Sequence, residues 1–106
     1  MESRKNLNGA TLELALEGRL DTSTSPALEQ ELRSSLSGIT GLVFDLKNLD
    51  YLSSAGLRVL LFAQKRMNDR DGSMIVRNPN ETVMDVFDVT GFLNILTVEN
   101  SEPSEE

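Results

Sequence analysis

The stretch LVFDLKNLDYLSSAGLRVLL, residues 42–61, contains the change of period that decides the fold. Leu42-Val43-Phe44-Asp45-Leu46 is short, apolar and rich in strand formers, and Lys47-Asn48 breaks it before a second apolar step at Leu49, Tyr51 and Leu52. This reads as a central strand leaving the core. From Leu57 onward the apolar positions fall at Leu57, Leu60, Leu61 and Met67, the spacing of one face of a helix. Ser53 and Ser54 lie where the period switches, so either can cap the helix by accepting a first-turn N–H that has no intrahelical partner. Ala55 and Gly56 leave that first turn uncluttered.

Working outward, Leu12, Leu14 and Leu16 alternate with polar residues in Ala10–Gly18 and predict a strand with one buried face. Lys5–Asn8 predicts a partner strand, with Asn8-Gly9 as the hairpin turn. The hydroxyl-rich run Thr22-Ser23-Thr24-Ser25-Pro26 predicts a loop ending in Ser25 as N-cap, with Pro26 at the first helical position. Leu28, Leu32 and Leu36 then place a helix over residues 26–37, closed by Gly38 and Gly41. The helix that starts at the serines should run to about Arg70 and stop at Asp71-Gly72.

Ser73–Arg77 predicts a strand, residues 81–89 a helix built on Val83, Val86 and Phe87, and Ile95–Val98 a last strand. An acidic tail, expected to be frayed or disordered, follows from Glu99 to Glu106. Strands and helices alternating in this way predict an α/β domain with a mixed sheet, right-handed crossovers and helices packed mainly on one face.

Composition narrows the function. A chain of 106 residues has room for one core, and 39% hydrophobic residues favour folding over disorder. Without Cys or His, neither a disulfide nor a thiol or imidazole catalyst is available, which excludes Ser-His-Asp and Cys-His chemistry. Asp45 with Asp50, or Asp85 with Asp88, is a carboxylate pair able in principle to do acid–base work, but Asp85 and Asp88 read more simply as a solvent face. No phosphate-cradling glycine loop is present. The sequence therefore reads as a binding protein, not an enzyme, with no cofactor of its own.

A net charge of −7 and scattered basic residues argue against nucleic-acid binding and anionic membranes. No apolar run is long enough to insert into a bilayer, and MESRKNLNG lacks a signal peptide's apolar centre, so a cytoplasmic location is expected.

The paired serines read most simply as a helix cap, and a modified hydroxyl there could also act as a switch. A phosphoserine adds roughly two negative charges, which a helix N-terminus tolerates but an acidic or apolar partner surface opposes. Asp21 and the loop Thr22–Ser25 form a second candidate recognition element, whose simpler reading is a turn that satisfies its own backbone. Arg58 lies one turn into the helix and is either a contact residue or a solvated side chain. Phe92 and Leu93 could extend a contact surface, although Phe92 fits the core better.

Leu49-Asp50-Tyr51-Leu52-Ser53-Ser54-Ala55-Gly56-Leu57 resembles the phosphorylation segment of bacterial anti-sigma factor antagonists, small proteins built on the STAS domain. Ser54 takes the place of the phosphoacceptor, Gly56-Leu57 match the Gly-Leu that follows it, and Ser53 stands where the best-known members carry Asp. Glu17-Gly18-Arg19-Leu20-Asp21 is similar to the family's Gly-x-Leu-Asp element, and the resemblance spans about residues 8–98.

It implies a STAS-like single domain over residues 1–98 that binds an anti-sigma factor serine kinase and so releases a sigma factor for transcription. Phosphorylation of Ser54, with Ser53 as the alternative acceptor, would weaken that complex, and a metal-dependent serine phosphatase would restore it. Asp21, Thr22, Ser23, Thr24, Ser53, Gly56, Leu57 and Arg58 would contact the partner. The nucleotide and the metal would belong to the partners. Two alternatives stay open: a non-switching STAS scaffold or transporter-associated regulatory domain, and a domain that binds a small ligand such as a nucleotide or lipid.

Overall fold

A computed structural model describes residues 1–100. A five-stranded sheet runs in the order β1-β2-β3-β4-β5. Its strands are β1 (Glu2–Asn8), β2 (Thr11–Leu20), β3 (Gly41–Leu52), β4 (Ser73–Arg77) and β5 (Val98–Glu99). β1 is antiparallel to β2 and every other neighbouring pair is parallel, which makes the sheet mixed. Three helices, α1 (Ser25–Ser35), α2 (Ser54–Asp69) and α3 (Glu81–Thr90), complete the domain.

Alternation puts Leu12, Leu14, Leu16, Leu42, Phe44, Leu46, Met74 and Val76 on one face of the sheet, where all are buried. Leu28 and Leu32 of α1, Leu57, Leu60 and Met67 of α2, and Val83 and Phe87 of α3 join them in a single core. The helices thus cover one face, in agreement with the period of each segment. On the other face Arg77 reaches across β3 to Glu13, with Nη1 and Oε2 2.7 Å apart. Both side chains are about one-third exposed, so the pair contributes about 0–1 kcal/mol.

β3 does not break at Lys47-Asn48. It runs unbroken to Leu52, but against β2 it carries an extra residue between Asp45 and Asn48 and another between Leu49 and Tyr51. Each extra residue is a bulge that delays the next inward side chain by one position. The inward set is therefore Leu42, Phe44, Leu46, Leu49 and Leu52, spaced by two and then by three, and every member is buried. Asp45 supports the first bulge, its carboxylate accepting the Lys47 N–H at 3.1 Å.

Several boundaries differ from the sequence reading. β1 begins at Glu2, and because Asn8 pairs with Thr11 the hairpin turn is Gly9-Ala10, not Asn8-Gly9. Gly9 has φ +64°, as a type II′ turn requires of its first central residue. α1 starts at Ser25 with Thr24 as its cap, because the Asp21 carbonyl already accepts the Ser25 N–H at 2.8 Å. Ser25 is instead buried, and its hydroxyl has no hydrogen-bond partner.

α2 ends at Asp69, and Asp71 takes the left-handed conformation at φ 56° while the Gly72 N–H returns to the Met67 carbonyl at 2.7 Å. Ile95–Leu96 is not a strand. After Gly91 the chain makes a short 3-10 turn, and the N–H groups of both residues bond back to Phe92, leaving only Val98–Glu99 to pair with β4. Phe92 packs on the core and Leu93 is exposed. Glu99 belongs to β5, whereas residues 101–106 of the acidic tail lie outside the described residues.

α2 rests on the sheet through Gly56. A Cβ at that position would meet Leu52 Cδ1 at 2.6 Å and Leu20 Cγ at 2.8 Å, both in buried leucines. Gly56→Ala is expected to lower stability by about 1–3 kcal/mol through overpacking, although alanine is the better helix former by about 1 kcal/mol. Chemical denaturation checks this, and a stabilised variant would show that α2 can lift away from the sheet at no cost.

Candidate functional site

β2 and β3 are parallel neighbours whose last paired residues are Leu20 and Leu52. The segments that follow them therefore emerge side by side at the carboxyl ends of the strands, where open α/β sheets place their binding surfaces. A direct bond joins them: the Ser53 N–H donates to the Leu20 carbonyl at 3.0 Å. The structure thus brings together the two elements singled out in the sequence, the Asp21 loop and the paired serines.

Ser53 is the N-cap of α2, with extended backbone at φ −96° and ψ 176°. Its Oγ accepts the Gly56 N–H at 3.5 Å and its carbonyl accepts the Leu57 N–H at 3.0 Å. Ser53 is thus half-buried and committed to the cap. Ser54 is the first helical residue and its side chain is exposed. A charged group added to it would face solvent beside the positive end of the helix dipole.

Asp21 organises the neighbouring loop. Its carboxylate accepts the Ser23 N–H at 3.0 Å, the Ser23 hydroxyl at 2.8 Å and the Thr24 N–H at 3.2 Å. Thr24 Oγ1 accepts the Asp21 N–H at 2.8 Å and donates to the Arg19 carbonyl at 2.9 Å. The turn reading of this loop is therefore correct, and Asp21 and Thr24 are its framework. Thr22 and Ser23 are exposed, the Ser23 hydroxyl being held on the Asp21 carboxylate.

The Ser23 hydroxyl, followed by the Ser23 and Thr24 amides, holds the Asp21 carboxyl below its ordinary value of 3.8 against the opposing effect of desolvation. A lowered folded-state pKa stabilises the loop above 3.8, and this contribution is lost as pH falls through the lowered value.

Gly56 and Leu57, matched to the family's Gly-Leu and expected at the partner surface, are both buried. They form the underside of the site: Gly56 sets the distance between α2 and the sheet, and Leu57 packs into the core. Arg58 is exposed and, with Thr22, Ser25, Pro26, Ala55 and Val59, lines a groove of about 270 Å³ between the N-terminal turns of α1 and α2.

The sequence reading did not include Arg19 and Tyr51 in the surface. Register places them opposite each other, with the Arg19 guanidinium 4.2 Å from the Tyr51 ring centroid and 3.6 Å from the Asp21 carboxylate. Only the strand pairing reveals that contact, because the two residues are far apart in sequence. Asp85 and Asp88 are exposed on α3. Among the described residues no cluster of acidic side chains is arranged to hold a metal ion, and no helix is long and apolar enough to cross a membrane.

This architecture is that of a STAS domain. The STAS domain family matches residues 3–105, and the chain belongs to it. BtrV of Bordetella bronchiseptica, named as a candidate anti-sigma factor antagonist, is 38% identical over 87 residues, covering 81% of this chain and 75% of the relative. The anti-sigma F factor antagonist of Paenibacillus polymyxa is 30% identical over 89 residues, covering 82% and 76%.

Among solved structures the anti-sigma factor antagonist SpoIIAA superposes in its unphosphorylated form with a TM-score of 0.86, at 18% identity, covering 96% of this chain and 90% of that one. SpoIIAA in its phosphorylated form, described as a Bacillus cell fate determinant, gives a TM-score of 0.78 at 17% identity, covering 96% and 93%. At these identities the structures bear on the fold alone.

Two outcomes follow from the geometry. Ser54→Asp should leave the fold intact and its stability unchanged or raised by about 0.3–1 kcal/mol, because the new carboxylate sits at a helix N-terminus. Loss of stability on thermal melting would place residue 54 in a packed environment instead. In an NMR titration the Asp21 carboxyl should have its midpoint below 3.8 and move back toward 3.8 in Ser23→Ala. A wild-type midpoint at or above 3.8 would mean that the loop bonds do not persist in solution.

Proposed function

We propose that this protein is a cytoplasmic anti-sigma factor antagonist whose binding is switched by phosphorylation of Ser54. The observation that carries the reading is the placement of one exposed hydroxyl at the first position of α2, beside an ordered loop and an exposed arginine. The relatives named as anti-sigma factor antagonists support it.

In this reading the unmodified end of the sheet docks on an anti-sigma factor that is itself a serine kinase. Thr22, Ser23, Arg58, Arg19 and Tyr51 supply the contact surface, while Asp21, Thr24 and Ser53 hold it in shape. The kinase transfers a phosphoryl group from its own nucleotide to the Ser54 oxygen. The added charge, roughly −2, leaves the helix in place but opposes the desolvation that docking requires. A metal-dependent serine phosphatase returns the hydroxyl and restores binding.

Ser54 is preferred over Ser53 because its hydroxyl is exposed, whereas Ser53 Oγ is turned toward the Gly56 amide. Incubation with candidate anti-sigma kinases and ATP, followed by mass spectrometry, should place the phosphate on Ser54, and Ser54→Ala should abolish its incorporation. Ser54→Asp should weaken kinase binding at least tenfold, about 1.4 kcal/mol, relative to Ser54→Ala. Equal affinities of the two variants would remove the switch and leave a non-switching STAS scaffold.

A further inference from the structure

The C-terminal ends of α1 and α2 enclose a second cavity, of about 330 Å³, lined by Leu32, Leu36, Phe62, Arg33, Arg66 and Arg70. It lies at the far end of this helix pair from Ser54, since the groove beside Ser54 is formed by the N-terminal turns. Leu32 and Leu36 are sealed beneath it and Phe62 is half-buried against the core, so the cavity has a mixed polar and apolar lining with one aromatic wall.

Three guanidiniums surround that lining. Those of Arg33 and Arg66 lie over the Phe62 ring, 4.7 and 4.9 Å from its centroid. Arg33 is ion-paired with Glu29 at 2.8 Å, whereas Arg66 and Arg70 have no carboxylate partner among the described residues. Arg70 uses Nη1 to donate to the Leu36 and Ile39 carbonyls, which fixes the side chain across the gap between α2 and the end of α1.

In a chain of net charge −7, three guanidiniums converge here. Cations in the last turn of a helix complement its dipole, and that accounts for Arg33 and Arg66 individually. It does not account for a cavity with a half-buried aromatic wall between them.

We propose that this cavity binds a small organic anion with a phosphate or carboxylate head and an apolar body. The head sits between Arg66 and Arg70, whose planar forks match the oxygens of either group. The body lies against Phe62, in a volume near the lower end of the roughly 300–1,000 Å³ typical of small-ligand sites. The site is separate from Ser54 and does not depend on its phosphorylation.

Amide NMR titration of the full chain with phenyl phosphate, benzoate, inorganic phosphate and benzyl alcohol tests this. Phenyl phosphate or benzoate should give saturable shifts confined to residues 32–37 and 62–70, and the tighter of the two identifies the preferred head group. Benzyl alcohol and inorganic phosphate should bind at least tenfold more weakly than that ligand, and Arg66→Gln should lower its affinity at least tenfold. Either anion binding R66Q as tightly as wild type, inorganic phosphate binding as well as phenyl phosphate, or no saturable shift in these segments with either organic anion would overturn the proposal.

Discussion

The close approach of Gly56 to Leu20 and Leu52 is the constraint on which the rest of the site depends. A helix resting directly on two leucines at the ends of parallel strands cannot slide or tilt without opening the core, because both side chains are fully packed. The first turn of α2 is thereby fixed against the end of β2, and the bond from the Ser53 amide to the Leu20 carbonyl sets the remaining freedom. Ser54 is exposed while Ser53 before it and Gly56 two residues after it are occupied in holding the helix down.

The bulges in β3 belong to the same arrangement. Without the two extra residues, strict alternation would turn Leu49 outward, and Leu52, although still in phase with Leu46, would lie two residues past its partner Leu20, so that α2 would begin at a different height above the end of β2. The irregular strand is thus the means by which a regular hydrophobic core delivers a polar hydroxyl to its rim. The Asp21 loop supplies the neighbouring half of the surface with internal hydrogen bonds that need no partner to order them. A preordered loop loses less conformational entropy on docking.

Much of this was legible in the sequence, and the exceptions have physical causes. The switch from strand to helix at Ser53-Ser54 could be read because periods of 2 and 3.6 are incompatible over ten residues, and the single-faced leucines of β2 and α1 placed the core. The continuity of β3 was hidden because a bulge mimics a break: Lys47-Asn48 is polar and outward in both cases. The burial of Gly56 and Leu57 was hidden for a different reason, since a motif match identifies residue types without saying which face they occupy. Ile95 and Leu96 have strand-forming character, yet the left-handed turn at Gly91 commits their amides to Phe92. The contact between Arg19 and Tyr51 depends on strand register and so left no local trace.

The central claim is that residue 54 can carry a doubly charged group while the domain keeps its packing. Amide NMR spectra of the protein with and without phosphoserine at position 54 test it most directly. Shifts should be confined to the loop of residues 21–24 and the first turn of α2, with the resonances of Leu14, Phe44 and Phe87 unmoved. Shifts spread through the core strands, or loss of their dispersion, would contradict it.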